Sequence, residues 1–438
     1  MGRGNVCNSS RMKAIVDCNN FYCSCERLFK PHLDRKPVVV LSNNDGCIIS
    51  RSDEAKQLGV EMAGPYFMAK PLIKKHDVAV FSSNYNLYGD LSWRVMETLR
   101  TMLGKKNVEV YSVDEAFLDL SIFPPEDLET IAKEIRQTAE KWTGIKVSVG
   151  VAPTKVLAKL ANRLSKKNKQ KTNCVMVLDT EEKIIEALQR TPVDDIWGVG
   201  YQYAQKLKEY WGINDALQLS RMSEEFGKTY LGGVVGKRLI RELKGIASKE
   251  MEDELATKKM IATTRMFGSP VGDINDIKEA VATYTSRAAE KLRRQHGAAR
   301  VISVFVVTKD QDHMLSFKQT GTISTHTILP VATSFTNELI KPAVQLVDKL
   351  FENGQLYQKA GVMLSGITPD TSIQGSLFLS ETKNCERKLM DMIDNINFSQ
   401  RDDVLKFAAS GTTRDWKMQQ KMCSGRYTTR WDELFEVK

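Results

Sequence analysis

Residues 111–120 read YSVDEAFLDL. Two adjacent carboxylates, Asp114 and Glu115, sit in a run that is otherwise strand-like, with Val108, Val110, Phe117, Leu118 and Leu120 supplying apolar, β-favouring positions. Burying such a pair is costly unless a cation neutralises it. A hard divalent ion is one candidate, because Mg²⁺ prefers a few carboxylate oxygens together with substrate phosphates. Neighbours on a flat strand point to opposite faces. For both acids to serve one site, VDEA must form the turn of a hairpin with strands on either side. A hairpin turn with two solvated acids and no chemistry carries the same signature, so the pair alone does not decide between them.

A third acid near the start shifts the balance. Met12 to Asp17 (MKAIVD) reads as a short buried strand ending in an acid, a common place for a site in an open sheet. If this strand pairs beside the hairpin, three carboxylates converge. Three are enough to hold two Mg²⁺ ions in the arrangement suited to in-line phosphoryl transfer.

Working outward, CNNFYCSCERLF opens a helix with Phe21, Tyr22, Cys25, Leu28 and Phe29 on one face. Tyr22 lies five residues past Asp17, so its ring either floors a nucleotide site or is a core aromatic. Val38 to Leu41 is a second buried strand. The SNNDG turn that follows is explained by turn chemistry. It leads to a helix whose Arg51 and Lys56 either contact phosphates or face solvent. Val78 to Phe81 is another strand, and residues 85–103 and 126–142 are helices. After the strand KVSVGV (146–151), residues 155–171 carry seven basic residues and no acid. This run either balances triphosphate charge or is a solvated face. Strands and helices alternate through residue 180, as in a mixed α/β domain.

A new unit starts near residue 181. The tripeptide GVG (198–200) is expected between a helix ending at Trp197 and one starting at Tyr201. A second glycine-rich entry, GGVVGKRLIRELKG (232–245), repeats the pattern. Such turns offer backbone N–H groups to a DNA phosphate without reading a base, or simply pack two helices. Residues 246–258 read as a polar linker. Beyond it the pattern predicts strand 260–270, helix 273–297, strands 301–309 and 314–323, helix 331–353 and strand 357–367. That β-α-β-β-α-β order is a ferredoxin-like split unit. Arg265, Arg287, Lys291, Arg293, Arg294, Arg300 and Lys318 make it basic enough to clamp a duplex backbone. The tail, 368–438, has eleven basic and eleven acidic residues, so the positive excess lies before it. Gln374, Leu377 and Phe378 form a Q-x-x-L-F peptide able to dock two apolar anchors in a partner's groove.

At 438 residues the chain exceeds one core. Hydrophobic (42%) and charged (27%) fractions are those of a soluble globular protein. The net charge of +9 favours an anionic partner. No apolar run is long enough to span a membrane, and MGRGNVCNSSR is not a signal peptide. Residues 1–11 are expected to be a disordered extension. The eight cysteines show neither C-x-x-C pairs nor zinc spacing, as befits free thiols in a reducing cytoplasm. The five scattered histidines receive no role.

Taken together, the motifs resemble the Y-family DNA polymerases, specifically the UmuC type. The likeness runs from Met12 nearly to the end. Its most specific parts are Asp17 with NNFYCSCE, SNNDGC (42–47), SVDEAF (112–117), GVAPTKVLAKLAN (150–162) and YTTRW (427–431). The resemblance implies an α+β multidomain, right-hand polymerase. Its parts would be a ferredoxin-like palm (12–180) with small fingers inserted at about 42–78, a helix-hairpin-helix thumb (181–245), a little finger (259–367) and a partner-binding tail (368–438). It further implies error-prone translesion synthesis in the SOS response, with Asp17, Asp114 and Glu115 holding two Mg²⁺ ions and the Cys18 carbonyl as a further ligand. Tyr22 would be the steric gate against a ribonucleotide 2′-OH. Ser50, Lys56 and Lys166 would lie on the dNTP triphosphate. Gly198, Gly200, Arg265, Arg293 and Arg294 are the expected contacts to primer-template DNA. Gln374, Leu377 and Phe378 look like the family's sliding-clamp peptide, and the tail like the region that meets a UmuD′ dimer and the RecA filament. The family often has Arg where Lys56 stands, and lysine loses the bidentate fork. It often has an aromatic where Asp53 stands, so Asp53 receives no role. Competing readings are a DinB (polymerase IV) type enzyme, a nucleotide cyclase built on a similar acidic hairpin, and a non-catalytic DNA-binding scaffold. The glycine turns, the basic third domain, the intact acid trio and the YTTRW tail speak against them.

Overall fold

The computed structural model describes residues 12–252, 257–309, 321–375, 384–400 and 403–434. The chain divides into two compact units. One comprises Met1–Val40, Ile48–Leu255 and Met422–Lys438; the other comprises Leu41–Cys47 and Ala256–Lys421.

The first unit is built on β1 (Lys13–Cys18), whose residues are almost all buried. Helix α1 (Phe21–Leu28) follows directly, after Asn20 turns the backbone with φ 47°. Strands β2 (Val38–Leu41) and β3 (Ile48–Arg51), helices α2 (Asp53–Gln57) and α3 (Tyr66–Lys75) and strand β4 (Ala79–Ser82) form a small layer with sheet order β3-β2-β4. Then come α4 (Tyr85–Leu103), β5 (Val108–Val110), β6 (Glu115–Asp119), α5 (Leu128–Thr143), β7 (Val147–Ala152), α6 (Lys155–Lys167), α7 (Lys169–Thr172) and β8 (Val175–Val177). The main sheet has the order β5-β6-β1-β7-β8. β1 is therefore flanked by β6 and β7, antiparallel to both. Ala14, Val16, Ala116, Leu118, Val147 and Val149 face a core shared with α1, α4 and α5. Ile15, Phe117 and Ala152 face a second core made with α6 and the following helices.

Helix α6 lies hard against β7 because residue 150 is glycine. A Cβ there would overlap the backbone of Ala158 and Asn162, and neither can retreat without moving the helix. Gly150→Ala is expected to cost about 3 kcal/mol, the upper end of overpacking. Chemical denaturation of the full chain measures it, and an unchanged midpoint would show that α6 has room to shift.

Helices α8 (Glu181–Gln189), α9 (Tyr201–Trp211), α10 (Ala216–Ser220), α11 (Glu224–Tyr230) and α12 (Val234–Leu243) complete the second core. The expected helix ending at Trp197 is absent. Pro192 removes a donor, and only a 3₁₀ turn, Val193–Asp195, forms. Gly198 (φ 99°) then leads to α9, with Gly200 at its N-cap, while Gly232 and Gly233 (φ 85° and 71°) lead to α12. These positive φ values are open to glycine at little cost. The expected linker is strapped down over its first residues. The fully buried Glu242 accepts from the N–H groups of Ser248 and Lys249, and its other oxygen accepts from Val156 N at the start of α6. Glu252 N donates to Glu109, which is ion-paired to Lys155 at 2.6 Å.

The second unit holds β9 (Ile261–Val271), α13 (Ile274–Arg294), β10 (Gly297–Thr308), β11 (Thr322–Thr333), α14 (Thr336–Leu350), β12 (Tyr357–Pro369) and α15 (Asn384–Ser399). All neighbouring strands are antiparallel, in the order β11-β10-β12-β9. Each β-α-β crossover skips one strand, so both are split. Alternate residues such as Ile302, Val304, Val306, Ala360, Val362 and Leu364 pack beneath α13 and α14. Most of the strand expected at 314–323 lies outside the described residues; β11 is described from Thr322 to Thr333, and α14 starts later than expected. The apolar stretch around Leu329–Val331 reads as a helix start, yet it belongs to an edge strand. There Pro330 is tolerated, because an edge position leaves its missing N–H unneeded. The tail is no free appendage here. Trp416 is buried against Phe267 and Tyr284, and Gly268 N donates to its carbonyl. The Asn44 side chain donates to Phe267 O and accepts from Gln419 N, both at 2.9 Å.

Candidate active site

Asp17 and Glu115 meet where β1 ends, with the backbone of Asp114 beside Cys18. Asp17 and Glu115 are direct partners across the β1–β6 ladder. The turn between β5 and β6 is closed by Tyr111 N and Ser112 N, both donating to Glu115 O at 3.0 Å. Cys18 N donates to Asp114 O at 2.8 Å, which fixes the turn beside β1. The Ser112 hydroxyl donates to Asp114 Oδ1 at 2.7 Å. The hairpin expected from VDEA therefore forms, and it sets Glu115 beside Asp17, while the Asp114 carboxylate is bonded to Ser112.

Helix α6 lays a row of cations over them. Lys159 Nζ lies 3.1 and 3.0 Å from the two Glu115 oxygens. It is also 4.6 Å from the Tyr111 ring and 4.9 Å from the Trp197 ring. Lys166 is ion-paired to Asp17. Burial, with the Glu115 charge adding to it, outweighs Lys166 and pushes Asp17 up to about 6. Asp17 and Glu115 thus each face one ammonium group, and their donors are hard oxygens, which suits Mg²⁺. Among the described residues no group of three or more His, Cys, Asp or Glu side chains is placed to hold a metal ion.

Arg163, Lys167 and Lys169 of the basic run are paired as well, while Lys171 is exposed. Arg163 and Lys167 both reach Asp195. Lys169 reaches Asp53, which is also bonded by Asn20 Nδ2 (3.1 Å) and Lys56 (3.0 Å). Burial works upward on the Asp53 carboxyl, but the hydrogen bonds from Lys169, Asn20 and Lys56 prevail and hold it well below the usual range. Asp53, left without a role by the sequence, is thus the hub of a cation cluster containing Lys56. Tyr22 is half-buried and stacks on Tyr88, with centroids 4.6 Å apart and planes at 17°. Burial pushes its phenol up to about 12.

Two expected site residues turn inward. Ser50 is buried with its hydroxyl 3.3 Å from Cys23 Sγ, because alternation along β3 sends it to the core side. Arg293 is buried and forks onto Asp394 of α15, with both bonds 2.7 Å long. It also donates to Ser334 O and Thr336, so its guanidinium is spent on holding α15. Arg265 is exposed, and the exposed Arg294 pairs with Glu290. Gln374 is exposed, while Leu377 and Phe378 lie outside the described residues. Lys159, Lys169 and Asn20 were missed. For Lys159 a signal existed: Lys155, Lys159 and Lys166 share one helical face at i, i+4 and i+11.

Solved structures with this architecture are Y-family DNA polymerases. A Y-family chimera of Dbh and Dpo4 matches with a TM-score of 0.67 at 22% identity, covering 81% of this chain and 99% of that one. A ternary complex of Dbh matches at 0.55. By fold, then, the chain stands with the Y-family polymerases. More narrowly, it belongs to the impB/mucB/samB family: that family's model matches residues 16–163 and its C-terminal domain residues 258–377. A domain of unknown function (DUF4113) matches 387–437. Protein UmuC of Salmonella typhimurium is 42% identical, covering 98% of this chain and 100% of that protein. Protein ImpB of the same species is 37% identical, over 97% and 99%. DNA polymerase IV of Brucella melitensis is 29% identical, over 81% and 76%.

Proposed function

We propose that this chain is an error-prone, DNA-directed DNA polymerase for translesion synthesis. It adds dNTPs to a primer 3′-OH opposite damaged template during the SOS response. The observation that carries this reading is the pairing of Asp17 with Glu115 at the end of β1, under Lys159 and Lys166 and next to the Asp114 turn. The family relationship supports it, and implies a divalent cation. Two Mg²⁺ ions held by Asp17, Asp114, Glu115 and the Cys18 carbonyl would lower the pKa of the attacking hydroxyl and stabilise the leaving oxygens. The protein's own part is positioning and charge balance. The 3′-oxygen attacks the α-phosphorus, the bond to the bridging oxygen breaks, and pyrophosphate leaves. No side chain is the nucleophile. Lys166, Lys56 and Lys169 would carry the triphosphate charge, and the Tyr22 ring would exclude a ribose 2′-OH.

In this reading the β1 sheet is the palm, the β3-β2-β4 layer the fingers, α8–α12 the thumb and the β9–β12 sheet the little finger. The glycine turns before α9 and α12 present N–H groups to the DNA backbone, and Arg265 and Arg294 add charge. Gln374, Leu377 and Phe378 form the sliding-clamp peptide. A UmuD′ dimer and a RecA filament are the expected accessory partners, in the cytoplasm. Among the described residues no helix is long and apolar enough to cross a membrane.

The test is primer extension with dNTPs on undamaged and abasic templates, with Mg²⁺ and with a chelator. Extension past the abasic site that stops on chelation is the expected result. Silence that persists after RecA filament and UmuD′ are added would overturn the polymerase reading.

A further inference from the structure

The last segment of the chain returns to the helix that carries Tyr22. Met422 N donates to Ser82 Oγ at 3.0 Å, and Ser82 N donates back to Met422 O at 2.9 Å. Asn84, buried at the start of α4, aims its amide at three acceptors: Ser424 O, Ser424 Oγ and Gly425 O, at 3.0 to 3.1 Å. Tyr427 packs its ring 5.0 Å from that of Phe29, just past α1.

Between these anchors lies Glu26, on α1 one turn beyond Tyr22 and fully buried. Its Oε1 accepts from two hydroxyls, Tyr88 at 2.6 Å and Ser424 at 2.9 Å. Its Oε2 has no hydrogen-bond partner in the structure. An acid removed from water is costly unless hydrogen-bonded, so the Ser424 and Tyr88 hydroxyls are what make Glu26 tolerable there. Tyr88 is the ring on which Tyr22 stacks. A continuous chain therefore runs from tail to site: Ser424 to Glu26, Glu26 to Tyr88, Tyr88 to Tyr22.

We propose that residues 422–427, through Ser424 and Glu26, are a positioning element for the Tyr22 ring, and so set how strictly the site rejects ribonucleotides. This rests on the reading of Tyr22 as the sugar-facing residue. Ser424 and Glu26 touch no substrate; they act by fixing Tyr88. Without the Ser424 hydroxyl, Glu26 loses one of its two donors, the Tyr88 phenol loses a fixed acceptor, and the stacked pair gains freedom to swing. A sugar-facing ring that swings admits a 2′-OH more often, whereas a deoxyribose places no demand there. The proposal also gives the DUF4113 region a role within the chain itself.

The experiment measures the ratio of rNTP to dNTP insertion efficiency by the full-length protein on one primer-template, with whatever accessory proteins it needs to extend. Tyr22→Ala reports on the underlying reading. Ser424→Ala, Glu26→Gln and Tyr88→Phe report on the proposal, and Ser424→Thr returns the hydroxyl. Losing one neutral hydrogen bond from such a network corresponds to about a threefold to tenfold rise in the ratio. That rise is expected for Ser424→Ala and Tyr88→Phe, with recovery in Ser424→Thr. Should Glu26→Gln fail to fold, the two hydroxyl deletions decide alone. If Tyr22→Ala raises the ratio while Ser424→Ala and Tyr88→Phe stay at the wild-type value, the proposal is wrong and the gate stands. If Tyr22→Ala leaves the ratio unmoved, the gate reading falls and takes the proposal with it. A rise in Ser424→Ala that Ser424→Thr does not reverse would mean general loosening and would overturn the specific role of the hydroxyl.

Discussion

Asp114→Ala and Glu115→Ala should each lower primer extension by about 10³-fold or more, the scale set by losing a principal electrostatic contact at the reacting phosphate. The structure makes the loss specific to chemistry. Asp114 is held by Ser112 and lies in a turn closed by backbone bonds, so alanine leaves the hairpin intact. Glu115 (19% side-chain exposure) faces Lys159 (15%). That cation keeps its places over Tyr111 and Trp197 when the carboxylate is gone. Both variants should bind primer-template DNA as the wild type does and unfold at similar denaturant. Extension within about tenfold of wild type in either variant would remove that acid from the site.

The largest stability effect is expected at Glu109. Its pair with Lys155 is buried, with side-chain exposures of 8% and 3%. Among the described residues, Lys155 otherwise meets the Glu250 carbonyl at 2.8 Å and the face of Phe117 at 4.9 Å. Glu109→Ala strands a cation and also orphans the N–H of Glu252. Removing one partner of a buried pair costs about 3–5 kcal/mol. Replacing both, with Glu109→Leu and Lys155→Met, should recover much of that, since a buried pair gains little over apolar residues of similar volume. Denaturation of the three proteins checks this, and a single variant within about 1 kcal/mol of wild type would mean that water reaches the pair.

The sequence disclosed what local pattern and charge dictate. The acidic hairpin, the strand ending in Asp17 and the α/β alternation all follow from side-chain period and from the cost of burying acids. What stayed hidden depends on distant residues. Nothing near Arg293 announces that Asp394, about a hundred positions later, will occupy its fork. Ser50 looks like a phosphate ligand until the register of β3 sends it to Cys23. Pro330 argues against a strand unless that strand is known to lie at an edge. The run 155–171 reads as free positive charge because its acids, Asp17, Asp53, Glu109, Glu115 and Asp195, are contributed from elsewhere in the chain.

The order of synthesis gives one consequence of the hydroxyl that Ser424 lends to Glu26. Residues 12–252 leave the ribosome long before residue 424 exists, because the whole of Ala256–Lys421 must be translated first. At ordinary elongation rates that interval is roughly 10–30 s. Through it, a nascent chain that has folded its first unit carries Glu26 without the Ser424 donor. On the proposed role of Ser424, each molecule would acquire the finished geometry around Tyr22 only as translation ends, and a chain released early from the second unit would lack the hydroxyl that Ser424 lends to Glu26.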